Sequence, residues 1–70
     1  MLIRLDNPTL TDDLCAHFRR SGFTADRAGG DLIDVTRPDA PTQRQAEQEV
    51  LIHLQVWRII NPGQGVESVT

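Results

Sequence analysis

The sequence predicts a two-layer α+β domain, an antiparallel sheet carrying two helices on one face. Three observations lead there. Short segments near residues 2–5 and 23–36 alternate apolar and polar side chains, as half-buried strands do. Two longer segments, 8–20 and 42–60, repeat their apolar residues at helical spacing. Glycine and proline clusters separate these segments, and 70 residues leave room for one domain spanning 1–70.

The first strand, residues 2 to 5, directs Ile3 and Leu5 to one face and Leu2 and Arg4 to the other. Asn7-Pro8 then reads as a helix entrance, because Pro8 presets the first helical φ and holds Asn7 extended, as a cap requires. Leu10, Leu14 and Phe18 form the apolar stripe of the first helix. Asp12 and Asp13 lie in its early turns and Arg19 and Arg20 in its last, an order that suits the helix dipole. Gly22 supplies a left-handed cap, with Phe23 folding back on the last turn.

Residues 23–36 read as a hairpin around Ala28-Gly29-Gly30. A two-residue Gly29-Gly30 turn would pair Ala25 with Asp34 and Phe23 with Thr36, mixing apolar and polar on one face. A loop over 28–30 instead pairs Phe23 with Val35, Ala25 with Ile33 and Arg27 with Asp31. That register is expected, with a glycine in the left-handed position, because it gathers apolar side chains and opposes unlike charges.

Arg37-Pro38-Asp39-Ala40-Pro41 ends the strand, and Thr42 with Gln45 forms a capping box for a second helix. This helix is expected to reach about Ile60, where Asn61-Pro62-Gly63 stops it. Residues 65 to 69 suit a last short strand; the other possibility is a βαββα fold with 64–70 frayed. With that strand the order is β-α-β-β-α-β, the ferredoxin-like arrangement, whose expected strand order is 4-1-3-2.

The second helix has two apolar faces. At about 100° per residue, Ala46, Leu54 and Trp57 fall within about 40° of Val50, which makes this the sheet-facing side. Ile52, Val56 and Ile59 fall about 180–240° away, nearly opposite. The first helix lies alongside and covers one flank, not the back. An exposed patch of this kind marks an interface. The expectation is a homodimer, or another protein partner, through Ile52, Val56 and Ile59, with Trp57 in the core. If the helix were rotated, one stripe would instead meet the first helix.

Composition supports this reading. All seven cationic side chains are Arg, the net charge is -3 and the pI is about 5.1. Such a balance argues against nucleic acid as a partner, since binders of this size are basic. No apolar run is long enough to span a bilayer, and the N-terminus lacks the pattern of a signal peptide. With no membrane partner and a single Cys15, the expected compartment is the cytoplasm. A core this small supplies about 3–5 kcal/mol without staples, so oligomerisation is the natural source of further stability.

Little in the sequence converges on chemistry. Cys15 and His17 are two apart and project about 160° from each other on a helix, so they cannot share a metal. His53 lies in the second helix without a ligand spacing, and no metal or other cofactor is expected. Cys15 reads as a helix-edge residue and His17 as an i, i+4 partner of Asp13. Asp12 and Asp13 supply first-turn charge rather than a catalytic pair, and Gly29-Gly30 precedes a strand rather than a phosphate-binding helix. No catalytic residues are nominated.

The junction Leu5-Asp6-Asn7-Pro8-Thr9-Leu10 resembles the D-x-P-G-x-L junction of ACT domains, small regulatory modules of similar length and element order. That resemblance implies dimerisation and an amino-acid site at the turn, with Asp6, Asn7 and Thr9 beside the ligand and Leu10 anchoring the helix. The family's glycine is Thr9 here, whose Cβ obstructs close approach to the backbone, so no tight amino-acid binding is expected. The favoured function is a non-catalytic interaction module that self-associates through its second helix. An ACT-like sensor of a small molecule and a small dimeric α+β enzyme are the alternatives.

Overall fold

A computed structural model describes every residue but Thr70, the last position of the segment 64–70 considered for fraying. The order is β1 (Leu2–Leu5), a 3-10 turn (Pro8–Leu10), α1 (Thr11–Arg20), β2 (Thr24–Arg27), β3 (Leu32–Thr36), α2 (Gln43–Ile60) and β4 (Val66–Ser68). The four strands form one sheet in the order β2-β3-β1-β4, and each neighbouring pair is antiparallel. Ile3, Leu5, Ala25, Ile33 and Val35 point to one face, where Leu14, Cys15 and Phe18 of α1 and Val50, Leu54 and Trp57 of α2 meet them. The opposite face carries Arg4, Asp26, Asp34 and Glu67 in solvent.

Asn7 caps the 3-10 turn rather than α1 itself. Its Oδ1 accepts from the Thr9 amide at 3.2 Å and the Thr9 hydroxyl at 2.7 Å. The α-helix then starts at Thr11, whose hydroxyl donates to the carbonyls of Pro8 and Gly30 and ties the helix to the hairpin loop. At the other end Gly22 adopts φ +90°, with its amide on Arg19 O and the Phe23 amide on Phe18 O. These two bonds complete a Schellman cap, and the Phe18 and Phe23 rings pack edge-to-face at 5.3 Å. Cys15, expected at a helix edge, is buried in the core. The apolar face of α1 is wide enough to include Thr11 and Cys15 beside Leu14 and Phe18.

The hairpin differs from both registers considered. Ala25 pairs with Val35 and Arg27 with Ile33, which leaves residues 28–31 in the loop. Asp31 does not face Arg27, because its carbonyl accepts from Leu5 of β1 at 2.8 Å and its carboxylate pairs with Arg4. Arg27 turns instead to Asp12 at 3.6 Å. The expected Arg27–Asp31 attraction was an exposed pair worth at most about 1 kcal/mol, too little to set a register against strand pairing. The shift is by two residues, so Ala25, Ile33 and Val35 keep the inward face. Neither hairpin glycine is left-handed; among the described residues the positive-φ glycines are Gly22 and Gly63.

Thr42 caps α2 by accepting from the Gln45 amide at 3.1 Å. Asn61 ends the helix, with its backbone and side-chain amides both on Trp57 O. Beyond Pro62-Gly63 the chain returns as β4 beside β1, pairing Leu5 with Val66 and Ile3 with Ser68.

Ile33 is fully buried at the centre of the sheet. Replacing it with Ala is expected to cost about 2–5 kcal/mol, most of the stability of so small a domain. Urea unfolding followed by Trp57 fluorescence measures this directly.

Candidate functional site

The candidate site is the outward side of α2, and burial on the inward side determines where it lies. Val50, Leu54 and Trp57 are packed on the sheet, and the Trp57 indole N–H donates to Asp13 Oδ2 of α1 at 2.9 Å. The contact with α1 runs along one flank, where His17 Nε2 lies 3.2 Å from His53 O and the two imidazoles are 6.2 Å apart. Asp13 therefore serves Trp57, not His17 as expected, because a buried indole N–H must find an acceptor. Glu49, on the same flank, pairs with Arg37, whose guanidinium also covers the Phe23 ring.

With the inward side and this flank occupied, the stripe expected to face outward does so. Ile52 is 60% exposed, Val56 43% and Ile59 79%. Leu51 at 45% and Ile60 at 66% widen the patch on either side, and neither was singled out from the sequence. Among Ile52, Val56 and Ile59 the exposed positions are Gln45 and Gln48, with Gln55 beside them, so the centre of the stripe carries no charge, while Arg44 and Glu49 stand at its two margins. Charge depletion among exposed apolar side chains is the composition of an interface centre rather than of a solvated helix face.

At the C-terminal end of α2 this stripe runs into an open cleft of about 680 Å³, lined by Asp6, Gln55, Arg58, Ile59, Gly63, Gln64 and Gly65. Pairing of β1 with β4 builds it: the Asp6 amide donates to Gly65 O at 2.9 Å. The Asp6 carboxylate lies directly over the Gly65 Cα, where any Cβ would overlap it. Of the four residues considered for ligand binding, Asp6 alone lines this cleft. Asn7 and Thr9 are bonded to each other, and Leu10 packs against the core. Arg58 and Gly65 escaped the sequence reading because only tertiary pairing brings them to Asp6.

Other groups with chemical potential are structurally engaged. Cys15 is buried, and loss of solvation pushes its thiol pKa above the ordinary value of 9.0. No group of three or more His, Cys, Asp or Glu gathers as a metal site among the described residues, and no described helix is long and apolar enough to cross a membrane.

Asp13→Ala removes the acceptor of the buried Trp57 N–H. A loss of about 1–3 kcal/mol is expected in denaturant unfolding, and a smaller loss when the same substitution is made in a Trp57→Phe background, where no indole N–H is left unpaired. Cys15 is expected to resist a water-soluble disulfide reagent at pH 8 and to react at once in denaturant.

Comparisons of this chain with protein-family models, with curated proteins and with solved structures find no match.

Proposed function

We propose that this chain is a small ferredoxin-like βαββαβ module whose work is association, and that its first partner is a second copy of itself, docked through the outward side of α2. The architecture supports the fold assignment, since β2-β3-β1-β4 is the 4-1-3-2 order counted from the β2 edge. The observation that carries the function is the stripe of Ile52, Val56 and Ile59, exposed on a helix whose opposite side is already fully packed. The molecule has no internal surface left to cover it. A second copy offers the same uncharged apolar stripe, and a two-fold contact makes such a surface complementary to itself.

The rest of the surface is less suited to a partner. The open face of the sheet holds Arg4 between Asp31 and Glu67 and the terminal amine beside Asp34, solvated pairs of small energetic weight. It presents no aromatic platform for bases and is predominantly acidic, which disfavours nucleic acid. The free edge of β2 is blocked at Ala25, whose carbonyl accepts from Arg19 Nε at 2.8 Å. Small-molecule sensing in the manner of ACT domains is the second reading; the cleft beside Asp6 favours it, and the engagement of Asn7 with Thr9 weighs against it.

Sedimentation equilibrium at micromolar concentration tests the proposal. A dimer is expected for the wild type and a monomer for Ile52→Glu/Ile59→Glu, with the far-UV spectrum unchanged because both side chains are solvent-exposed. A wild-type monomer at all concentrations overturns it.

A further inference from the structure

Charges that border the α2 stripe without an ion pair indicate how the second copy is oriented. On the flank toward α1 the neighbouring charge, Glu49, is committed to Arg37. On the flank toward β4, Arg44 lies at the N-terminal end of α2, and Arg58 and Asp6 lie at its C-terminal end beside the cleft. None of these three makes an ion pair among the described residues. The N-terminal end of that flank thus holds an unpaired cation, and the C-terminal end an unpaired anion, Asp6, beside Arg58.

Two copies facing each other across α2 have two symmetric choices. With parallel helices, the β4-side flank of one copy meets the α1-side flank of the other, where Glu49 is already occupied. With antiparallel helices, like flanks meet, and the N-terminal end of one helix lies on the C-terminal end of the other. We infer that the second copy docks with α2 antiparallel to α2, so that the Arg44 end of each copy faces the Asp6–Arg58 cleft of the other. This rests on self-association through α2 and adds its geometry.

The apolar residues set the register. Placing Ile52 opposite the partner's Ile59 puts the two-fold axis beside Gln55 and Val56 and buries Ile52, Val56 and Ile59 of both copies together. An 18-residue helix is about 27 Å long, so in this register the first turns of α2 extend past the end of the partner's helix, over its Asn61–Gly65 turn. The guanidinium of Arg44 then approaches the partner's Asp6. Opposed helix dipoles favour the same direction.

Crosslinking separates the two orientations. Gln55 and Gln45 are both exposed and uncharged, and the native Cys15 is buried. Under mild oxidation, Gln55→Cys is expected to form a disulfide-linked dimer and Gln45→Cys is not, because only residue 55 lies at the axis. Rapid crosslinking of both variants means parallel helices and overturns the inference. So does crosslinking of neither variant when the wild type sediments as a dimer. A charge swap gives the second readout: Arg44→Glu and Asp6→Arg each raise the dimer Kd by about 3- to 30-fold, reflecting two equivalent pairs. The two together restore it if the pairing is right; additive losses overturn the assignment of that pair. A wild type that is monomeric by sedimentation defeats the self-association proposal itself, an outcome distinct from either of these.

Discussion

The rotation of α2 about its own axis decides most of what this molecule can do. It is set by one buried indole. Trp57 is 1% exposed, large enough to dominate a small core, and its N–H requires an acceptor, which Asp13 of α1 supplies. Val50 and Leu54 follow Trp57 onto the sheet because they share its stripe. Once that side is inward, His53 must lie against α1 and Ile52, Val56 and Ile59 must face away from the domain. A rotation of about 100°, one residue's step, would expose Trp57 and leave its hydrogen bond unmade.

This explains why the apolar back of α2 coexists with a well-packed core. The domain has no disulfide and no metal site among its described residues, and the core is formed by a handful of side chains from five elements. No internal layer remains to receive a second apolar stripe. In the proposed dimer the stripe would be buried, and at about 25 cal/mol per Å² that burial would add stability that the isolated chain lacks. Gln45, Gln48 and Gln55 fit this picture. An amide loses less on desolvation than a carboxylate or guanidinium would, and it bonds readily to a partner's amide across a two-fold axis.

Much of this was legible in the sequence wherever a one-dimensional period determines the outcome. The two stripes of α2 follow from helical spacing alone, and Gly22 and Thr42 announce caps whose chemistry is local. The hairpin was legible only to the face. Its inward residues follow from alternation, but its register depends on Asp31 bonding to β1 and Arg27 reaching α1, partners distant in the chain. Cys15 was assigned to an edge because a single stripe on α1 understates how broadly the helix is covered.

The cleft was the least legible feature, and the reason is topological. Asp6 ends the first strand and Gly65 precedes the last, so they meet only when β4 closes the sheet beside β1. Their contact also constrains the residue type, since the Asp6 carboxylate occupies the space a Cβ at position 65 would need. The same closure sets Asp6 beside Arg58 at the end of α2, so a three-residue edge strand holds together the far end of the exposed stripe. Fraying of β4 would therefore not expose much core, but it would disperse the charges that border the proposed association surface. In this molecule the weakest strand contributes less to the fold than to the shape of the site.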